Sequence, residues 1–264
     1  MVFDAKKESE MFDKAAEYYD KFRPGYPKEI IETIIEKTKL SNNSKTLEIG
    51  AGSGKATEYF KDYEFSIRCI EPGKNLVKNG QIKYKDYSNI KFECGRFEEL
   101  EPVSEKYDLI FAAQSFHWVP QPTGYQKCAE MLKKNGNLAL FWNMYLINNN
   151  ENNNDLMRLS NKYGGFADFV NEEQCENRIC SIVNAIENSG LFETPIVYKH
   201  LWKQEYTADE YYGFVLTGNR FLQLSDEVKE MARKEIEEHA NKFGGKIIRP
   251  YLCVLYLAHK KRIY

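Results

Sequence analysis

Thr46-Leu47-Glu48-Ile49-Gly50-Ala51-Gly52-Ser53-Gly54-Lys55 is the stretch that decides the fold of this chain. A short apolar run meets glycines at alternate positions and then passes into helix-forming residues from Ala56 to Phe60. This order predicts a strand, a tight loop and the start of a helix. Glycine lacks a Cβ and adopts positive φ readily, so the loop backbone can approach a ligand closely. The predicted helix would also present free N–H groups to that ligand.

Spacing excludes two familiar nucleotide-binding loops. A phosphate-binding P-loop requires glycine, four residues and then Gly-Lys-Ser/Thr. Here Ile49 stands at the place of the first glycine, and Ala56 follows Gly54 and Lys55. A dinucleotide-binding loop requires its third glycine one position later, where Lys55 stands. The pattern that remains is Gly-x-Gly-x-Gly after Leu-Glu-Ile, with an ordinary glycine-rich turn as the alternative.

Two more strand ends are predicted to lie at the same edge of a sheet. The strand from Phe65 ends in Glu71, about 20 positions after Gly50, where a Rossmann-like unit has an acid that binds ribose hydroxyls. A solvated strand-end glutamate is the alternative. Residues 107–118 are then predicted to form a buried strand that runs into a loop, with Gln114-Ser115-Phe116-His117-Trp118 as its last residues. Ligands of open α/β sheets bind at the carboxyl ends of such strands.

In this order, the glycine loop, Glu71 and the segment 107–118 resemble the class I S-adenosylmethionine-dependent methyltransferases. The Ser-Phe-His-Trp form of residues 115–118 is similar to the small-molecule branch of trans-aconitate-type methyltransferases. The resemblance implies an α/β fold with a Rossmann-like, seven-stranded, mostly parallel sheet, a terminal antiparallel strand pair and a helical cap. It also implies S-adenosyl-L-methionine as the cofactor.

The resemblance assigns cofactor binding to a set of residues spread over the N-terminal half. They are Tyr19, Arg23, Glu48, Gly50, Ala51, Gly52, Gly54, Glu71, Pro72, Phe97, Glu98 and Gln114. Arg96 departs from the family pattern, which has an acid at this place near the adenine amino group. Adenine recognition is therefore assigned to Glu98 or to the backbone around Phe97. Residues 8–27, with Tyr18, Tyr19 and Tyr26, are expected to act as a lid over the cofactor.

The sequence predicts a methyltransferase that moves the methyl group in line to a small organic molecule in a capped pocket. His117 is the candidate catalytic base, needed if the acceptor is protonated with a high pKa, and a structural hydrogen bond beside Trp118 is the alternative. A carboxylate acceptor would need cations instead, for which Arg23, Arg220 and Arg249 are candidates. An RNA or protein methyltransferase and a non-catalytic cofactor-binding protein are the alternative functions.

Composition narrows the class of protein. The 264 residues carry 37 basic and 39 acidic side chains, a formal net charge of -2. This balance lacks the broad basic field of a nucleic-acid-binding protein. We expect no membrane span, no signal peptide, no metal site and a cytoplasmic protein, because there is no apolar run of ~18 residues, no apolar N-terminal segment and no Cys-x-x-Cys pair. The oligomeric state is left open.

The predicted domain organisation divides one compact domain into two parts. Residues 1–144 hold the lid and the cofactor-binding half, and residues 145–264 hold the helical cap and the last two strands. Several local expectations follow from the pattern of the sequence. They are a helix over 122–134, a polar loop over 147–154, a helix beginning after Thr207, a last strand over 247–258 whose pairing starts after Pro250, and buried thiols at Cys69, Cys94 and Cys253.

Overall fold

The computed structural model describes residues 21–147, 150–165 and 169–262. The strands are β1 (Lys45–Ile49), β2 (Ser66–Glu71), β3 (Ile90–Cys94), β4 (Tyr107–Ala113), β5 (Leu132–Leu146), β6 (Phe169–Val170), β7 (Ile196–Tyr206) and β8 (Ile247–His259). The α-helices are α1 (Lys28–Thr38), α2 (Lys74–Lys83), α3 (Thr123–Met131), α4 (Glu151–Lys162), α5 (Glu172–Asn188), α6 (Ala208–Val215), α7 (Asn219–Leu222) and α8 (Asp226–Lys242). No helix in these ranges is both long enough and apolar enough to cross a membrane.

The strands form one mostly parallel sheet, which confirms the predicted fold. Their order is β3-β2-β1-β4-β5-β8-β7, and the two-residue strand β6 pairs with β5. Strands β1 to β5 pair in parallel, whereas β5, β8 and β7 form the antiparallel end. The strand order reverses between β1 and β4. Open α/β sheets bind ligands at such a switch point, beyond the carboxyl ends of the strands.

The chain groups into two compact units, each built from several stretches. The helical unit comprises Met1–Pro24, Met144–Cys175 and Leu201–Leu252, and the parallel-sheet unit comprises Gly25–Asn143, Glu176–His200 and Cys253–Tyr264. The apolar side chains of the central parallel strands are fully buried, among them Leu47, Ile110 and Leu140. This is the expected result when helices cover both faces of a parallel sheet.

The helical unit has its own apolar core. Phe214, Phe221, Ile236 and Ile247 belong to one cluster of buried side chains from α6, α7, α8 and β8. Thr207 is the N-cap of α6, as predicted: its hydroxyl accepts a hydrogen bond from the backbone N–H of Glu210, and the Glu210 carboxylate accepts one from the N–H of Thr207. This reciprocal pair satisfies two backbone donors at the start of the helix.

The predicted helix after the glycine loop is wrong, because only a 3₁₀ turn forms there, over Thr57–Tyr59. The Thr57 hydroxyl donates to Glu48, the Tyr59 hydroxyl accepts from the backbone N–H of Tyr26, and Phe60 is fully buried. These three contacts hold the segment in place as a short turn.

Three further expectations need correction. The helix predicted over 122–134 ends at Met131, because Leu132 is fully buried and pairs with Tyr107 as the start of β5. Asparagines 152–154 were expected in a loop but lie in α4, whose first turn is capped when the Asn150 side chain accepts from the N–H of Asn153. The last strand includes Pro250 and starts before it.

The thiols divide by strand position. Cys69 and Cys253 are fully buried, as predicted, but Cys94 is exposed, and the prediction for it is wrong. Cys94 ends β3, which lies at the edge of the sheet and is covered less completely than the central strands. An apolar run therefore overstated the burial of this residue.

The core of the parallel-sheet unit also contains a carboxyl group. Glu48 is 1% exposed on β1. Its Oε2 accepts a hydrogen bond of 2.5 Å from the Thr57 hydroxyl and a long contact of 3.8 Å from the Cys69 thiol. Burial is the largest influence on Glu48 and raises its pKa to about 8. The group is therefore mainly protonated near pH 7, and it supports the glycine loop from within the core.

We expect Glu48→Gln to change how stability depends on pH. A carboxyl whose folded pKa is raised binds more protons in the folded state, so stability falls as pH rises from about 4.5 to about 8. This group contributes a slope of at most about 1.4 kcal/mol per pH unit. Glutamine keeps the carbonyl acceptor and has no titrating proton. Urea unfolding from pH 5 to 8 should show a flatter profile for Glu48→Gln.

Glu32→Gln is the matched control, because Glu32 is exposed on α1. Its pH profile should run parallel to that of the wild type. An unchanged slope in Glu48→Gln would show that the buried carboxyl is ionised throughout this range.

Candidate functional site

The glycine loop after β1 combines two kinds of glycine. Gly50, Gly52 and Gly54 all have positive φ, at 64°, 59° and 91°. A Cβ on Gly50 would lie 2.5 Å from the Cβ of Ser115, and one on Gly54 would lie 2.5 Å from Cε2 of Tyr84. A Cβ on Gly52 would meet nothing within 4 Å. Packing thus requires Gly50 and Gly54, whereas Gly52 borders open space that a ligand could fill.

Glu71 joins this loop to the end of β2. Its Oε2 accepts a hydrogen bond of 2.9 Å from the N–H of Gly52, and its Oε1 accepts one of 2.8 Å from the N–H of Gly73. The side chain is 7% exposed. The structure thus places Glu71 at the end of β2, beside Gly52, with Pro72 directly after it, and ribose binding by Glu71 stays a prediction.

The turn after β3 holds two of the predicted residues. Phe97 is buried, and the Glu98 carboxylate lies 3.7 Å from the guanidinium of Arg96. Lys127 on α3 fixes this turn, because its Nζ donates to the carbonyls of Glu98 and Leu100, each at 2.6 Å. Sequence reasoning missed Lys127. Nothing in the pattern of a lysine on an amphipathic helix indicates such a contact.

Gln114, after β4, has a strained backbone. Its φ of 57° lies in the left-handed region, which costs a non-glycine residue about 1–2 kcal/mol. Its side-chain Oε1 accepts from the N–H of Asn143 at 2.9 Å, and its own N–H donates to the carbonyl of Phe141 at 3.0 Å. Such outliers cluster at ligand sites, where the surrounding structure over-determines them. Asn143 was not among the predicted residues.

The end of the predicted lid is fixed to the sheet. Asn143 donates from Nδ2 to the carbonyl of Gly25 at 2.9 Å, and the ring of Tyr26 packs edge-on against Phe141 with centroids 4.9 Å apart. Tyr26 is therefore a core residue of the parallel-sheet unit, contrary to its expected place in a lid. The rest of the lid up to residue 20, with Tyr18 and Tyr19, lies outside the described residues.

Arg23 belongs to the helical unit. Its Nη2 donates to the carbonyl of Thr217 at 3.3 Å, and its guanidinium lies 5.3 Å from the ring centroid of Phe214. The sequence assigned Arg23 to cofactor binding, and this role stays a prediction.

His117 lies in a short 3₁₀ turn after β4, against two tryptophans. The indole N–H of Trp142 donates to its Nδ1 at 3.3 Å, and the ring of Trp118 lies 4.8 Å away between centroids. Part of the residue remains exposed. Desolvation of the ring by these neighbours lowers the pKa of His117 to about 4. At neutral pH the imidazole is uncharged, with its proton on Nε2 because Nδ1 accepts.

The described residues 21–147, 150–165 and 169–262 contain no cluster of three His, Cys, Asp or Glu side chains that could hold a metal ion.

Comparisons with known proteins agree with this architecture. Residues 47–140 match the family model described as a methyltransferase domain. An uncharacterised methyltransferase of Schizosaccharomyces pombe is 30% identical over 127 residues, which cover 48% of this chain and 49% of that protein. The chain thus matches about half the length of its curated relatives.

Solved structures share the fold at low sequence identity. The YcgJ protein of Bacillus subtilis has a TM-score of 0.54 at 13% identity, with 89% of this chain and 99% of that chain covered. A Haemonchus contortus N-methyltransferase, solved in complex with S-adenosylhomocysteine, has a TM-score of 0.55 at 11% identity and covers 99% of this chain and 61% of its own. Over residues 47–140 this chain is thus similar to a methyltransferase domain, and it shares the Rossmann-like α/β fold of these solved structures.

Proposed function

We propose that this chain is an S-adenosylmethionine-dependent methyltransferase that acts on a small organic molecule. The observation that supports it most is the open space beside Gly52, bordered by the oriented carboxylate of Glu71. The positive φ of Gly52 by itself favours glycine, and the absence of any atom within 4 Å of its Cβ position leaves room for a ligand. The methyltransferase-domain match over the same segment agrees with this reading.

The residues around the loop fit the proposed cofactor. Glu71 would accept hydrogen bonds from the ribose hydroxyls, because its carboxylate lies at the end of β2 beside Gly52. The loop backbone at Gly50, Ala51 and Gly54 would line the rest of the proposed cofactor site, together with Pro72 after β2. Phe97 and Glu98 would lie along the adenine, in a turn that Lys127 keeps rigid. Glu48 would act from the core as a positioning residue.

When bound, S-adenosylmethionine supplies an electrophilic methyl group on a sulfonium. The protein's task is then to hold the acceptor in line with the S–CH₃ bond in a dry site, and such positioning carries much of the rate. The hydrogen bond between Gln114 and Asn143 fixes the end of β4 against β5, so these are the residues proposed to keep this geometry.

His117 is better suited to donate a hydrogen bond than to remove a proton. Its Nδ1 lone pair already accepts from Trp142, and the Nε2 position carries the proton. We propose that His117 orients an oxygen of the acceptor through Nε2–H. This favours an acceptor that is already deprotonated, or one whose proton leaves after transfer.

The substrate class is proposed from charge. A net charge of -2 with balanced acidic and basic residues favours a small acceptor over a nucleic acid. The trans-aconitate-type resemblance of residues 115–118 points the same way.

Label transfer tests the proposed function. The purified protein is incubated with S-adenosylmethionine labelled in its methyl group and with a metabolite extract freed of macromolecules. We expect protein-dependent label in products that pass a small-pore filter. Transfer only to added RNA or protein would contradict the small-molecule assignment. S-adenosylhomocysteine binding without transfer to any of these fractions would show a non-catalytic cofactor-binding protein.

We expect Glu71→Gln to weaken S-adenosylhomocysteine binding by about tenfold or more, because hydrogen bonds to a charged acceptor contribute about 1.5–3 kcal/mol. Glutamine keeps an acceptor oxygen for only one of the Gly52 and Gly73 N–H groups, so circular dichroism and the unfolding transition must first show that the fold survives. Calorimetric titration gives the affinity. Glu93→Gln on β3 is the control, because that carboxylate pairs with Arg68. Equal affinity in wild type and Glu71→Gln would reject the ribose assignment.

For His117 we expect an Nε2–H tautomer at pH 7 and titration at about pH 4. Long-range ¹H–¹⁵N spectra of labelled protein separate the two ring nitrogens, and Trp142→Phe should release Nδ1 and shift its resonance. A His117 that titrates between pH 6 and 7, or that carries its proton on Nδ1, would restore the general-base role.

A further inference from the structure

A buried arginine with no acidic partner among the described residues lies inside the helical unit. Arg249, on β8, is fully buried. Aromatic rings surround its guanidinium carbon. The centroid distances are 4.3 Å to Tyr145, 4.6 Å to Phe169, 5.7 Å to Tyr211, 5.7 Å to Phe214 and 5.9 Å to Tyr251. All of these residues belong to the helical unit.

Only one nitrogen of this guanidinium donates a hydrogen bond to a described residue. Nη1 donates to the hydroxyl of Tyr211 at 2.8 Å. Nε and Nη2 are buried, and neither has a hydrogen-bond partner among the described residues. The arginine ion pairs within those ranges are formed by Arg68, Arg96, Arg158 and Arg233. Among the residues that the structure describes, nothing pairs with the edge of the Arg249 guanidinium formed by Nε and Nη2.

Such an arrangement is costly unless something balances the charge. Guanidinium groups remain protonated in proteins, and burying an unpaired ion costs several kcal/mol. The surrounding rings offset part of this cost, since a cation over an aromatic face gains about 0.5–2 kcal/mol. The rings cannot accept the hydrogen bonds that Nε and Nη2 offer in the plane of the guanidinium. A ligand with two coplanar acceptor oxygens could accept both.

The shape and charge of the free edge select a carboxylate. Nε–H and Nη2–H are parallel donors, the fork that binds a carboxylate through both of its oxygens. One positive charge balances a monoanion, whereas a phosphate dianion would bring a second charge. The Tyr206 and Tyr251 hydroxyls lie 3.0 Å apart, so one of their two hydrogens remains for another acceptor. The flanking aromatic rings suit an apolar body on the ligand.

We propose that the helical unit binds a small monoanionic carboxylic acid through Nε and Nη2 of Arg249. Two coplanar oxygens of the ligand would accept the hydrogen bonds of Nε and Nη2 and balance the positive charge. The rings of Tyr145 and Phe169 would pack against the apolar part of the ligand. This site goes beyond the proposed methyl transfer and can be tested without the cofactor.

Titration of the full chain with matched acid and amide probes tests the site. The acids are acetate, butyrate and benzoate at pH 7.5, and the uncharged isosteres are acetamide, butyramide and benzamide, with inorganic phosphate as a further probe. Calorimetry gives the affinity, and thermal unfolding gives the change in Tm at constant ionic strength. We expect at least one carboxylate to bind saturably and to raise Tm, because it pairs the buried cation, and its amide to do neither.

Variants assign the binding to Arg249. Arg249→Lys keeps the charge but loses the fork, so carboxylate affinity should fall about tenfold or more. Arg249→Met removes the charge at similar volume and should abolish binding while the unfolding transition stays cooperative. Arg233→Lys is the matched control, because Arg233 lies in the same unit, pairs with Asp209 and should leave affinity unchanged.

The wild-type titrations alone can overturn the proposal, even if both Arg249 variants fail to fold. Absence of binding by every carboxylate would show that Arg249 is a structural cation held by the rings. Equal binding of an acid and its amide, or tighter binding of phosphate, would reject the carboxylate assignment. S-adenosylhomocysteine affinity, measured separately in the same variants, reports on the methyltransferase proposal and not on this one.

Discussion

The carboxylate of Glu71 holds together the ends of β1 and β2, and the proposed cofactor site depends on it. One oxygen accepts from Gly52 in the loop after β1, and the other accepts from Gly73 after β2. A loop whose glycines have positive φ has little intrinsic preference for one shape. A charged acceptor between two backbone donors restricts it, because such hydrogen bonds are about twice as strong as neutral ones. The same carboxylate can therefore set the loop and face a ligand.

Of the three glycines in the loop after β1, only Gly52 borders free space. Gly50 packs on Ser115 and Gly54 packs on Tyr84, so both are held in place by side chains from other elements. Glu48 adds a buried carboxyl on the inner side. The loop is therefore supported from the core and open on one side, which is the arrangement that a ligand-binding turn requires.

The helical unit has a buried charge in its core. The guanidinium of Arg249 lies among aromatic rings and donates one hydrogen bond, to Tyr211, while Nε and Nη2 have no partner among the described residues. Natural cores avoid this situation, because removing a charge from water costs more than a single weak partner returns. A ligand that supplies the missing anion would convert this cost into binding free energy, so the unit's stability and its occupancy would be linked.

The sequence by itself determined the α/β fold with its mostly parallel sheet and the placement of Gly52, Glu71 and Gln114 at strand ends. These features depend on local signals: alternating glycines, short apolar runs and the spacing between them. The 3₁₀ turn at 57–59 and the exposure of Cys94 escaped this reasoning, since each depends on what packs against the segment.

Only the tertiary structure decided what each polar side chain does. Glu48 lies in the core, whereas Glu71 lies at the loop. Nδ1 of His117 accepts a hydrogen bond from Trp142, and two nitrogens of Arg249 have no acceptor among the described residues. The tertiary structure also places Lys127 on the turn after β3. The physical reason is distance along the chain: these partners come from other elements, and hydrogen bonding and desolvation depend on groups a few ångströms away in space.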